Sequence, residues 1–123
     1  MRVLVTGHNG YVGTVLVPML LKAGHDVVGL DSNLYQAATF GADDGANAIP
    51  AINKDVRDVT HADIDGFNAI LHLAGLSNDP LGDLNPELTY EINHQASVRL
   101  AEIAKELGVE RYIFSSSCSN YGA

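Results

Sequence analysis

The sequence predicts an α/β domain: one parallel sheet in the order 3-2-1-4-5, with helices on both faces. Three observations carry the prediction. Short apolar runs alternate with longer stretches of helical spacing along the chain. A glycine-rich turn joins the first run to the first helical stretch, and the second run ends on an acidic residue. Alternation of this kind requires right-handed crossovers, which place helices on either side of a parallel sheet.

Each element follows from local chemistry. Val3-Leu4-Val5, ended by Thr6-Gly7, reads as a strand buried on both faces. Tyr11 to Ala23 reads as a helix closed by Gly24. Pro18 lies inside it, where the missing N–H costs roughly 3 kcal/mol, so a kink without a break is expected. Val27-Val28-Gly29-Leu30, ending at Asp31, is the second strand. Ser32 to Pro50, rich in Ala, Gly, Asp and Asn, reads as a loop with at most one weak helical turn. Ala51 to Lys54 is a short, polar, edge-like third strand, and Ala69 to Ala74 a strongly apolar fourth. Asn85 as N-cap and Pro86 at the first helical position open a long helix that Gly108 closes. Within it Ile92, Ala96, Leu100, Ile103 and Leu107 recur at helical spacing and should face the sheet. Arg111 to Ser115 is the fifth strand.

Composition narrows the function. The 123 residues suit one small domain, and 46% hydrophobic content is enough for a core. Fifteen Asp and Glu against seven scattered Lys and Arg give a net charge of −8, which argues against nucleic acid and anionic membranes as partners. One cysteine allows no internal disulfide, and no C-x-x-C pair suggests zinc. The opening apolar run is too short for a secretory leader, and no run is long enough to span a bilayer. A soluble, cytoplasmic domain is expected.

The candidate site is Thr6-Gly7-His8-Asn9-Gly10-Tyr11-Val12-Gly13. Its context, between a strand and a helix with a second strand following, matters more than the glycines alone. Gly7 permits a tight turn, Gly10 lets backbone approach a pyrophosphate, and Gly13 allows close helix–sheet packing. The free N–H groups of the helix start attract phosphate. Asp31, eighteen residues after Gly13, is placed to bind the hydroxyls of an adenosine ribose, and its charge would repel a 2′-phosphate. NAD is therefore expected over NADP. The plainer alternatives are an ordinary strand-to-helix turn and an Asp at a turn.

The spacing T-G-x-x-G-x-x-G resembles that of the extended short-chain dehydrogenase/reductases, of the nucleoside-diphosphate-sugar epimerase type. Further segments fit in order: Asp55-Val56-Arg57-Asp58, His72-Leu73-Ala74-Gly75, Tyr90-Glu91-Ile92-Asn93, and Phe114-Ser115-Ser116-Ser117-Cys118-Ser119-Asn120-Tyr121-Gly122. The resemblance implies a Rossmann-type NAD-binding domain over residues 1–123. It implies that Ser117 is the catalytic serine, acting on a sugar hydroxyl or ketone. Leu73, Ala74 and Gly75 would line the cofactor, with Ser115 beside them. Asp55 and Val56 would flank the adenine, and Asn93 would hold the sheet end. A nucleoside-diphosphate sugar would be the substrate, and a homodimer through the helix over 86–107 is plausible on the same ground. Sugar dehydratases of the family carry an Asp-Glu pair where this chain has Cys118 and Ser119, which favours an epimerase, reductase or dehydrogenase.

The family's base is a tyrosine with a lysine four residues on, the lysine stabilising the phenolate. No tyrosine here has that partner: the residues at the required spacing are Val15, Thr39, His94 and Ser116, and the chain ends before one could follow Tyr121. An N-terminal portion of a larger enzyme, inactive by itself, is the expectation. A non-catalytic NAD-binding sensor or scaffold is the rival, and a phosphate-binding domain unrelated to nicotinamide a weaker third.

The remaining polar residues read more simply. His8 is expected to face solvent from the loop, and His72 to be a hydrogen-bonded structural histidine. His25, His61 and His94 have no metal-site spacing, Cys118 reads as a small buried hydrophobe, and Asp79 to Asp83 form an acidic loop that either meets substrate or is solvated.

Overall fold

The computed structural model describes residues 1–32, 49–75 and 86–116. Along these run β1 (Arg2–Thr6), α1 (Tyr11–Lys22), β2 (Asp26–Asp31), β3 (Ala51–Asn53), a 3-10 turn (Val56–Asp58), α2 (His61–Ile64) and β4 (Ala69–His72). They are followed by α3 (Pro86–Tyr90), a π turn (Glu91–Gln95), α4 (Ala96–Glu106) and β5 (Arg111–Phe114). The five strands are parallel in the order β3-β2-β1-β4-β5, the expected Rossmann-type sheet. β1 is central, with Thr6 opposite both Leu30 of β2 and His72 of β4. The chain therefore leaves the sheet centre in opposite directions from neighbouring strands, which opens a crevice at their carboxyl ends.

Both faces of the sheet are covered, which explains the unbroken apolar runs of β1 and β2. On one face Leu4, Val28, Leu30 and Ile70 pack with Ile92, Ala96, Leu100, Ile103 and Ala104, and with Val56, Val59, Ile64 and Phe67 from the β3–β4 connection. Leu107 packs against this cluster, so the helical stripe faces the sheet as expected. On the other face Val3, Val5, Val27 and Ala69 meet Val17, Leu20 and Leu21 of α1, with Leu71 and Leu73 at its margin. Strand alternation assigns Val3 and Val5 to one layer and Leu4 to the other.

The helix ends are built as their residues demand. Beyond α1, the N–H of Gly24 donates to the Leu21 carbonyl and that of His25 to Leu20. Beyond α4, Gly108 donates to Lys105 and Val109 to Ala104. Gly24 and Gly108 have φ of 89° and 72°, the left-handed conformation this closing pattern requires. α1 runs through Pro18 without a break; packing of Val17, Leu20 and Leu21 on the sheet outweighs the local cost.

Three features differ from the sequence expectation. The β3–β4 connection contains the 3-10 turn and α2, too short to show a period. Asp63 of α2 accepts hydrogen bonds at Oδ2 from the Thr60 N–H (2.9 Å), the Thr60 hydroxyl (3.0 Å) and Lys54 Nζ (2.8 Å), which fixes this turn beneath β3. The long helix contains a π turn, in which the Ala96 N–H reaches the Glu91 carbonyl. Asn85, the expected N-cap, lies outside the described residues. Among the described residues, no helix is long and apolar enough to cross a membrane.

Candidate cofactor site

At the carboxyl end of β1 the chain turns at Gly7, which has φ of 71° and donates its N–H to the Leu30 carbonyl at 2.7 Å. A Cβ on Gly7 would lie 2.8 Å from the Ala74 nitrogen, so main chain meets main chain between the loop and the end of β4. Gly10 closes the loop by donating to the Gly7 carbonyl at 3.0 Å and then serves as N-cap of α1. It offers no side-chain cap, and the first turn of α1 carries no acidic residue. The helix start is thus left as a main-chain surface of donors and positive dipole. The side chains of Tyr11 and Val12, the first two residues of α1, are exposed.

Asp31 ends β2 beside the loop, and its Oδ2 accepts a hydrogen bond from the Asn9 N–H at 3.1 Å. Gly7, Asn9, Gly10, Tyr11, Val12, Gly13 and Asp31 therefore form one group. Leu73, Ala74 and Gly75 form its second wall at the end of β4. A Cβ on Gly75 would lie 2.9 Å from the Asn93 Oδ1, so the π turn rests against this wall. Asp55 and Val56 follow β3. Val56 is buried in the core, leaving only its backbone for a ligand. Asp55 accepts from the Arg57 N–H (2.9 Å), Nε (3.1 Å) and Nη2 (2.7 Å), and the hydrogen bonds from Arg57 hold its carboxyl below the usual range. Ser115 is exposed and donates its N–H to the His72 carbonyl at 3.2 Å. Ser117, Cys118 and the acidic loop from Asp79 to Asp83 lie outside the described residues.

His8 corrects the sequence expectation. It is 8% exposed, not solvent-facing. Its ring lies on Gly29 of β2, where a Cβ would stand 2.4 Å from Cγ and Nδ1. Its backbone lies against Gly13, where a Cβ would stand 2.4 Å from the His8 carbonyl oxygen. The two glycines make the space the ring and its main chain fill. Among the described residues, its Nδ1 has no hydrogen-bond partner. Burial lowers the imidazole pKa, with the Asp31 charge and the Leu30 carbonyl opposing. The signal available in the sequence was Gly29 itself: a glycine inside an apolar strand marks close approach.

His72 behaves as expected and is 1% exposed. Its Nδ1 is 2.7 Å from the Thr6 hydroxyl, and its Nε2 is 2.8 Å from the Ser97 hydroxyl. Burial lowers its pKa to about 4. Thr6 also accepts the Ala74 N–H at 3.2 Å, and Ser97 donates to the Asn93 carbonyl at 2.8 Å. Ser97 was not singled out from the sequence, and Thr6 entered only as the first residue of the glycine motif. Ser97 is a polar residue at the stripe position between Asn93 and Leu100, which is the trace it leaves. Among the described residues, no group of His, Cys, Asp or Glu is placed to hold a metal ion.

Residues 3–123 match the NAD dependent epimerase/dehydratase family. The chain belongs to that family. It is 34% identical over 124 residues to the UDP-glucose 4-epimerase of Mycolicibacterium smegmatis, covering 95% of this chain and 39% of the relative. A UDP-glucose 4-epimerase sequence from Klebsiella pneumoniae is 31% identical over 130 residues, covering 99% of this chain and 93% of the relative. Among solved structures, UDP-glucose-4-epimerase from Stenotrophomonas maltophila, with bound NAD and formylated UDP-arabinopyranose, superposes with a TM-score of 0.85 at 29% identity. That match covers 99% of this chain and 38% of the other. UDP-glucose 4-epimerase from Bifidobacterium longum, in complex with NAD+ and UDP, gives 0.79 at 27%, covering 99% and 38%. The chain spans about two-fifths of the length of most of these relatives.

Proposed function

We propose that this chain is the NAD-binding portion of a nucleotide-sugar epimerase. The observation that carries the reading is the glycine cradle: an uncapped helix start, three glycines whose missing Cβ atoms make room for main chain, and Asp31 tied to the Asn9 N–H. A dinucleotide fits such a cradle, with pyrophosphate against the main chain of the first turn of α1, adenosine ribose hydroxyls donating to Asp31, and adenine between Asp55 and Val56. Leu73, Ala74 and Gly75 would form the wall along the cofactor, and Asn93 and Ser115 would hold that wall in place. Ser117 would hydrogen-bond the reacting sugar hydroxyl.

Bound NAD would supply the hydride acceptor, oxidising C4 of a nucleoside-diphosphate sugar to a 4-keto sugar and returning hydride to the opposite face. The phenolate base of this chemistry is not among these residues, since no tyrosine has a lysine four positions on. The purified chain is therefore expected to bind NAD without epimerising a sugar nucleotide. Pairing with a second copy through the helix over 86–107, on which Tyr90 is exposed, and residence in the cytoplasm belong to the same reading.

Isothermal titration of the chain with NAD tests it. Saturable binding is expected, weaker for NADP, and Asp31→Ala should weaken NAD by about ten- to a hundredfold, the worth of hydrogen bonds to a charged group. Absence of NAD binding, or equal affinity in Asp31→Ala, would overturn the reading.

A further inference from the structure

One direction of the hydrogen bonds around His72 satisfies every group in them. Ser97 has one hydroxyl proton, and the Asn93 carbonyl, 2.8 Å away, can only accept it. Ser97 Oγ must then accept from His72 Nε2–H, which leaves Nδ1 unprotonated in the neutral ring. Nδ1 accepts the Thr6 hydroxyl proton at 2.7 Å, and Thr6 Oγ1 in turn accepts the Ala74 N–H at 3.2 Å. The chain reads Ala74 N–H to Thr6, Thr6 to His72, His72 to Ser97, Ser97 to Asn93. Every proton in it has one destination.

The ends of this chain are the parts of the candidate site. Thr6 precedes the Gly7 turn, Ala74 belongs to the wall that Gly7 abuts, and Asn93 touches Gly75 from the π turn. We propose that His72 is a positioning residue for the cofactor, fixing the glycine loop, the Leu73–Gly75 wall and the Asn93 turn relative to one another through this directed relay. The inference rests on the NAD-binding reading of the site. Ser97 is buried on α4, and its hydroxyl is joined to the site through His72 on one side and the Asn93 carbonyl on the other. A proton added at Nδ1 would leave the Thr6 hydroxyl proton without its acceptor in a buried place. The ionisable group from a neighbouring strand that faces the imidazole is Tyr112, whose ring centroid is 6.2 Å away and whose phenol burial pushes up to about 12, so it stays neutral. On the same strand Phe114 stacks on the ring at 5.8 Å.

Two measurements test the relay. In the first, NAD affinity is compared for the wild type, Ser97→Ala, Thr6→Val, Thr6→Ser and the exposed neighbour Val98→Ala, at a temperature where all are folded. Ser97→Ala and Thr6→Val should bind NAD about three- to tenfold more weakly, with Thr6→Ser restored and Val98→Ala unchanged. A purely structural role would lower melting temperatures and leave affinity alone, and that result overturns the proposal. In the second, nitrogen NMR of the labelled imidazole in wild-type chain should show proton on Nε2 and none on Nδ1 near neutral pH, and amide exchange at Ala74 should quicken in Ser97→Ala. A proton on Nδ1, or unchanged Ala74 exchange, overturns it. Should the wild type bind no NAD, the cofactor reading fails and the positioning role falls with it, while the NMR measurement still decides whether the relay exists. Should Ser97→Ala fail to fold, the tautomer and the Thr6→Ser and Thr6→Val pair decide.

Discussion

Gly29→Ala probes how the glycine loop is seated. A Cβ there would stand 2.4 Å from Cγ and Nδ1 of His8 and 2.6 Å from Cδ2, where carbon contacts settle near 3.5–4.0 Å, so the ring has to move by about 1 Å. The ring is buried between β2 and the loop, and such overpacking costs about 1–3 kcal/mol. Alanine restores about 0.5–1 kcal/mol because it loses less backbone freedom than glycine in a strand. A net loss of about 1–2 kcal/mol is expected. Gly13→Ala meets the same residue at a different part, the His8 carbonyl oxygen at 2.4 Å and its C and Cα at 2.6 Å. Main chain cannot rotate aside, so that loss should reach about 3 kcal/mol or more. His8→Ala separates the two. It removes the ring that obstructs Gly29→Ala and leaves the backbone that obstructs Gly13→Ala. Urea unfolding of the single and double variants should give a favourable coupling of about 1–2 kcal/mol for His8 with Gly29 and none for His8 with Gly13, with m unchanged. Equal rescue of both glycine variants, or rescue of neither, would refute the packing described for His8.

Acid should destabilise the fold through His72. Its pKa is about 4 in the folded chain against 6.5 ordinarily, so between those values the unfolded chain holds the extra proton. The stabilisation is complete above pH 6.5, falls as pH drops, and levels off below about 4, a loss on the order of 3 kcal/mol. His8 is shifted in the same direction. Urea midpoints between pH 7 and 4.5 should fall in the wild type and less steeply in His72→Gln; an equal slope in both would contradict the assignment. Leu100→Ala, at a position 1% exposed between α4 and the sheet, should cost about 2–5 kcal/mol in the same assay. Asp63→Ala removes an acceptor shared by Lys54 and Thr60 and should cost about 1–2 kcal/mol, with faster amide exchange at Thr60 as its local mark.

The elements with a period or a stop signal were legible in the sequence. Val3 to Val5 and Val27 to Leu30 declared buried strands because both faces of the sheet are covered. Gly24 and Gly108 declared helix ends because their conformation excludes most other residues. Alternation declared a parallel sheet with right-handed crossovers, and the glycine turn and acidic strand end of a dinucleotide-binding unit set the order of its strands. What escaped notice has no period. α2 is one turn long, and the π turn adds a residue without disturbing the Ile92, Ala96, Leu100 stripe. His8 looked like a loop residue because a polar side chain between glycines is usually solvated; its burial depends on Gly29, more than one element away. The same holds for Ser97, whose role depends on His72 across the sheet face. Contacts distant in sequence leave only indirect traces, here a glycine in a strand and a serine in an apolar stripe.

The uncapped start of α1 has a kinetic consequence. Its main-chain donors act over a few ångströms, whereas the chain's net charge of −8 is felt over the Debye length, about 8 Å at physiological salt. A diphosphate-bearing nucleotide approaches against repulsion and meets attraction only at contact. Raising ionic strength weakens the long-range barrier before it weakens the short amide contacts, so association should become faster with added salt, the opposite of a binder that steers its ligand with lysine and arginine.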